Sequence, residues 1–290
     1  MRHLILDTDI GDDVDDAFAL ALLLRLPQAN LTAVTTVHGA VEARARIALK
    51  MVAAACREDV PVYAGSPGRG ERSRPLAYGG WASDSSDTQP AAGDAASFIV
   101  SCVMDSPPGT VTLVAVGPLS NVALALRQEP RVAERLCRLV IMGGSVRVGY
   151  PPGSPPCPEY NIACDPAAAK VVFESGAPLL VAPLDATMML QPSREQLEAL
   201  AGSRAPLTRA LQECLTLWGR GVPTLFDPMA AACALDDPGL RFVETERMHL
   251  EVTDTGLTVE RRGLPPNAEV ATSARAQEFL NWYFEALLRA

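Results

Sequence analysis

Lysine is nearly absent from this chain, with only Lys50 and Lys170 among 290 residues. Arginine does not make up the deficit: 25 Lys and Arg stand against 34 Asp and Glu, a net charge of −9. Without a basic surface to neutralise phosphates, nucleic acid is a poor partner. A neutral or cationic small molecule, or a bound metal, suits the charge better. The seven cysteines (56, 102, 137, 157, 164, 214 and 233) form no Cys-x-x-Cys pair. Their odd number and scatter read as reduced thiols in a cytoplasmic protein, with neither a disulfide framework nor a zinc site. Long apolar runs are also missing. The longest, AFALALLL, is far too short to cross a bilayer, so no membrane partner is expected. No leader is expected either, because Met1-Arg2-His3 runs straight into the first apolar stretch.

What the chain has in excess is aspartate at one place. Six of the ten residues from Asp7 to Asp16 are aspartates, in DTDIGDDVDDAFAL. At about 5 Å and an effective dielectric of ~20, one pair of like charges costs about 3 kcal/mol. Such a run persists if solvent separates the charges, protons neutralise some, or a cation sits among them. It spans the end of an apolar strand, HLIL (3–6), and the start of a helix. Open α/β sheets place their ligands there, which favours the cation.

Strand and helix patterns alternate along the chain. LTAVTTV (31–37), PVYAG (61–65), TVTLVAV (110–116), RLVIMGG (138–144) and PLLVAPL (178–184) read as short buried strands. Between them, helical patterns cover 15–26, 41–57, 94–104 and 166–175, and another opens in GPLSNVALAL near Ser120 or Asn121. From 193 to 235 the chain is mostly helical, MHLEV (248–252) and LTVERR (257–262) suit a hairpin, and a helix ends it. The expectation is an α/β protein with a mostly parallel open sheet covered by helices on both faces. Two Pro/Gly-rich loops, 65–93 and 143–164, interrupt the pattern, and neither has the composition of a linker. One domain, 1–290, is expected.

Five segments in order resemble the inosine-uridine preferring nucleoside hydrolase family. They are DTDIGDDVDDAFAL at the start, LVAVGPLSNVALAL (113–126), VIMGGS (140–145), EYNIACDPAAAKVVF (159–173) and DPMAAA (227–232). The resemblance implies a Rossmann-like single domain that hydrolyses the N-glycosidic bond of a ribonucleoside, with water activated on calcium. It further implies a small nucleoside substrate and a homodimer or homotetramer. Breaking this bond builds an oxocarbenium-like ribosyl cation, a demand that glycosidases meet with carboxylates. Calcium accepts carboxylates, carbonyls, water and diols in one loose shell.

Position by position, the resemblance gives Asp9 as metal ligand and general base toward the attacking water. Asp16 becomes a second carboxylate ligand, Val116 a backbone carbonyl ligand, and Asp15 the partner of the ribose 2′-hydroxyl. Asp227 serves both the ion and the 3′-hydroxyl. Glu159 and Asn161 hydrogen-bond the sugar, and Met142 packs on it.

Four departures from the family pattern stand out. The first loop is two residues longer than usual, so Asp12 or Asp13 could enter the metal shell. Ala40 replaces an asparagine, and Gly153 and prolines occupy the region of another. Phe226 stands where base-nonspecific members carry a histidine thought to protonate the departing base. Tyr78, Trp81, Trp218 and Phe226 are candidates to stack on the base, and His38 to replace the acid. Arg69, Arg72 and Arg74 read as solvent-facing, with a substrate phosphate as the minority reading. Two other functions fit parts of the chain. A magnesium phosphatase would use Asp7 as nucleophile and Asp9 as acid, but would also need a later lysine. A non-catalytic relative would keep the metal and ribose site alone.

Overall fold

The computed structural model describes residues 3–68, 72–83, 89–235 and 242–289. Apolar, β-branched segments build the strands β1 (His3–Thr8), β2 (Leu31–Thr36), β3 (Val62–Ala64), β4 (Val111–Ala115), β5 (Arg138–Met142) and β6 (Leu179–Ala182). After these come β7 (Val243–Met248), β8 (Leu250–Val252), β9 (Thr258–Glu260) and β10 (Ala268–Ala274). The main sheet runs β3-β2-β1-β4-β5-β6-β10-β7, and every neighbouring pair is parallel except β10 with β7. The pair β8–β9 is a separate antiparallel hairpin.

Helices α1 (Asp15–Arg25), α2 (Val41–Ala54), α3 (Ala95–Asp105), α4 (Ser120–Gln128), α5 (Val132–Arg135), α6 (Tyr160–Cys164) and α7 (Pro166–Phe173) follow the early strands. Helices α8 (Leu184–Thr187), α9 (Arg194–Gly202), α10 (Pro206–Trp218), α11 (Phe226–Cys233) and α12 (Ala276–Leu288) complete the shell. Alternation along each strand sorts the core into two layers. On β1, Leu4 and Leu6 pack with α1, α2, α10, α11 and α12, whereas Ile5 packs with α3, α4 and α7. Helix α1 is buried all round except at Arg25, because other helices cover the face it turns away from the sheet. That explains its uniformly apolar sequence.

The expected α/β class and parallel sheet are found, in a single domain, and the hairpin near 250–260 is present. The antiparallel edge formed by β7 and β10 was not expected. VETERM is charged and mostly exposed, so it carries no apolar strand signal; its pairing with β10 makes it a strand. The loop 143–164 closes earlier than expected, because the side chain of Glu159 caps α6. Among the described residues, no helix is long and apolar enough to cross a membrane. All seven cysteines are unpaired.

Candidate active site

The strand order 3-2-1-4-5-6 reverses direction at β1 and β4, so a crevice opens beyond their carboxyl ends. Asp9 leaves β1 at that edge, and Val116 leaves β4 beside it, its N–H donating to the Asp7 carbonyl at 2.8 Å. The next residue must be small. A Cβ on Gly117 would stand 2.8 Å from the Asp9 carboxylate and 2.8 Å from Val37. This edge forms the floor of a cavity of about 270 Å³ lined by Asp9, Asp12, Asp13, Asp15, Asp16, Val116, Met142, Glu159, Asn161, Phe226 and Asp227, with Tyr150, Tyr160 and Arg74 above them.

Helix α1 opens with Asp15 and Asp16, and α11 carries Asp227 in its first turn. The two helices pack together, and the Asp227 N–H donates to Asp15 at 3.3 Å. Asp15, Asp16 and Asp227 each offer a carboxylate oxygen, all within 4.8 Å of one another, and all three residues are buried. Burial first, then the charge of a nearby aspartate (Asp13 for Asp15, Asp9 for Asp16, Asp15 for Asp227), pushes all three well above the usual carboxylate range. Asp9 lies in the same cavity outside this trio and is pushed up to about 8, by burial and then by Asp12. Each of these residues is only 3–4% exposed, so bulk water screens them poorly. A hard divalent cation is the species that returns all of them to the ionised form, and an all-oxygen donor set suits it.

The longer first loop has its own support. Arg44 is fully buried, and its Nε donates to the His38 carbonyl at 2.7 Å. Its Nη1 donates to the carbonyls of Asp9 and Ile10 and to the Asp12 carboxylate, the last at 3.1 Å. Gly11 lets the loop turn with φ +136°, and a Cβ there would meet Leu76 at 2.9 Å. Asp12, in the cavity lining, is paired with Arg44 and also accepts from the Tyr160 hydroxyl at 3.5 Å. Nothing in the Ala/Arg-rich pattern of α2 marked Arg44 out. Removing one partner of a buried pair costs about 3–5 kcal/mol. Arg44→Met is thus expected to lower the melting temperature by about 10 °C in thermal unfolding. An unchanged transition would show that the loop holds without it.

Glu159 and Asn161 lie on the cavity's far side. The Glu159 carboxylate accepts backbone N–H bonds from Asn161 and Gly144 at 3.0 Å and from Ile162 at 3.2 Å, while burial raises its pKa. Asn161 Nδ2 donates to the Val116 carbonyl at 2.7 Å and to the Met142 carbonyl at 3.1 Å. The Val116 carbonyl keeps a second lone pair for an ion.

Several residues expected at the base end lie elsewhere. Tyr78 is in the core, its hydroxyl donating to the Asp13 carbonyl at 2.7 Å. Trp81 faces α10, with Nε1 donating to Glu213 at 2.7 Å and the Lys50 ammonium 4.6 Å from its ring. The segment 76–83 folds back onto α2 and α10 through a 3₁₀ turn at Gly79–Ala82, which buries both rings. Trp218 ends α10 outside the cavity lining, with Arg220 at 5.9 Å. His38 is buried behind the wall, its ring edge-on to Tyr160 at 6.2 Å, and burial followed by Arg44 lowers its pKa. Asp7 is sealed inside the sheet, accepting from Thr35 at 2.6 Å and Asn121 at 2.7 Å, and burial pushes it up to about 7. A phosphatase nucleophile cannot sit there. Arg69 lies outside the described residues, Arg72 holds Tyr160 through its carbonyl, and Arg74 stacks over the Tyr160 ring at 4.2 Å. Two lining residues were missed, Tyr150 and Tyr160; Tyr150 lies in a Pro-rich loop and Tyr160 opens the short helix after it, and neither pattern shows which side chains turn inward.

A switch-point crevice floored by buried carboxylates from early and late helices is suited to a small polar ligand beside a hard cation. The sequence family confirms and narrows this. The model of the inosine-uridine preferring nucleoside hydrolases matches residues 4–281, and the chain belongs to that family. It is accordingly an N-glycosidase. The non-specific ribonucleoside hydrolase RihC of Salmonella paratyphi B is 33% identical over 99% of this chain and 98% of its own. The pyrimidine-specific ribonucleoside hydrolase RihA of a Shewanella species is 31% identical over 99% and 96%. Among solved structures, the plant nucleoside hydrolase PpNRh1 superposes with a TM-score of 0.85, at 26% identity over 100% of this chain and 99% of that one.

Proposed function

We propose that this enzyme hydrolyses the N-glycosidic bond of a ribonucleoside with calcium as its cofactor. The observation that carries the reading is the buried trio Asp15, Asp16 and Asp227 in one cavity with Asp9. When bound there, calcium supplies a hard Lewis acid that favours ionised carboxylates and a cis-diol. Asp9, Asp16, Asp227 and the Val116 carbonyl would hold it. In this reading Asp9 accepts the proton of the attacking water, while Asp15 and Asp227 hold the 2′- and 3′-hydroxyls. Glu159 fixes the backbone of the sugar wall through its three accepted N–H bonds. Asn161 orients the Val116 carbonyl and presents its remaining oxygen to the sugar, and Met142 packs on the ring. The carboxylate floor stabilises positive charge developing at C1′ as the C–N bond lengthens. Reduced cysteines support a cytoplasmic setting, and a homodimer or homotetramer follows the resemblance.

Base release from inosine, uridine, adenosine and p-nitrophenyl riboside, with and without chelator, tests the assignment. Ribose release that chelator stops is the expected result. Calcium binding without turnover of any of the four would instead identify a non-catalytic relative, and phosphate release from phosphoesters a phosphatase. Phe226 begins α11 in the cavity wall and carries no proton to give. Phe226→His is expected to broaden base tolerance, raising kcat for the poorest natural nucleoside of the panel about tenfold. An equal or narrower spread of rates would contradict that role.

A further inference from the structure

The cavity has a charged floor and two unlike walls. One wall carries Arg74 and Tyr160 beside Asp12 and Asp13. The other carries Phe226 and Tyr150, whose rings meet edge to face at 6.2 Å and 75°. Phe226 directly precedes Asp227 and lines the same cavity, which puts this wall beside a sugar held at Asp227. A planar aromatic base fits the corner between one ring's face and another's edge.

Tyr150 differs from the other tyrosines at or beneath this cavity. The Tyr78 hydroxyl donates to Asp13 and the Tyr160 hydroxyl to Arg72. Among the described residues, no partner is found for the Tyr150 hydroxyl, and the side chain stays 42% exposed. Its loop is nevertheless braced. Gly149 N–H donates to the Ser154 carbonyl at 2.9 Å, and the Asp185 carboxylate accepts from Val146 at 3.0 Å and Arg147 at 2.8 Å. A Cβ on Gly149 would overlap the Pro155 carbonyl oxygen at 2.1 Å, so the turn that presents Tyr150 requires glycine.

We infer that Tyr150 is the catalytic and specificity-determining contact to the departing base: its ring packs the base against Phe226, and its hydroxyl donates a hydrogen bond to it. The inference rests on the nucleoside hydrolysis proposed above. When the C1′–N bond breaks, its electron pair moves onto the base nitrogen, and the phenol hydrogen bond stabilises the charge that develops on the base. Water oxygen adds to C1′, Asp9 takes the water's proton, and the released base takes a proton from solvent. Tyr150 ends the step as it began, protonated.

Tyr150→Phe and Tyr150→Ala test this with inosine and p-nitrophenyl riboside, after thermal unfolding confirms folded protein. Loss of one donor to developing charge lowers kcat by about 10²-fold. For Tyr150→Phe we expect that loss with inosine, little change in KM, and at most a few-fold loss with p-nitrophenyl riboside, whose leaving group needs no donor. Tyr150→Ala additionally raises KM for inosine about tenfold. Unchanged inosine turnover in Tyr150→Phe, or equal losses for both substrates, overturns the inference. If the wild type releases base from neither compound, the hydrolase reading fails and Tyr150 is judged by inosine binding in calorimetry. There, a tenfold weaker Tyr150→Ala supports the contact, and equal affinity overturns it.

Discussion

Asp9→Ala is expected to lower kcat/KM for base release by about 10⁴-fold or more, with the protein still folded. Loss of a general base alone accounts for about 10²–10⁴-fold. Asp9 follows the last residue of β1, is nearly buried, and opens onto the cavity beside Gly117. Burial and Asp12 push its carboxyl up to about 8, while Arg44 pulls the other way. A cation beside it restores the carboxylate and its ability to accept a proton. Removing this side chain therefore removes both a base and a prospective ligand, and no neighbouring carboxylate replaces it: Asp12 is paired with Arg44, and Glu159 is capped by backbone N–H groups. Initial rates with inosine check the prediction, and near-normal turnover by Asp9→Ala would refute the assignment.

The second large effect is on stability against pH. Asp9 is raised to about 8 and Asp7 to about 7, and Asp15, Asp16 and Asp227 are raised well above their unfolded value. A carboxyl raised on folding contributes stability that is complete below its unfolded pKa and disappears as pH rises through the folded one. These raised carboxyls thus make metal-free protein more stable at about pH 4 than at about pH 8. Calcium binding only the folded, ionised site adds stability by mass action and opposes that loss. In EDTA, the melting temperature should drop by about 10 °C between those limits, whereas millimolar calcium should flatten the slope. Differential scanning fluorimetry at both limits measures it. An identical calcium effect at acid and neutral pH would contradict the coupling.

The parts of this arrangement legible in the sequence share a physical reason. Six aspartates at a strand-to-helix junction carry a repulsion that needs an explanation, and Asp227-Pro228 opens a helix in a recognisable segment. Strands β1, β2, β4, β5 and β6 are buried on both faces, so their apolar runs stand out. The residues that depended on tertiary contacts were not legible. Arg44 looks like any arginine of an amphipathic helix until the long first loop folds over it. Tyr78 and Trp81 sit in a Gly-rich stretch that suggests exposure, yet α2 and α10 cover them. Tyr150 takes its place from brackets at Asp185 and Ser154, far from any periodic pattern.

Crystals of the protein soaked in calcium provide the most direct measurement. Electron density for one ion within bonding distance of Asp9, Asp16 and Asp227 oxygens and the Val116 carbonyl is the result the proposed site predicts. Carboxylates that splay apart with no density between them, at saturating calcium and neutral pH, would contradict it.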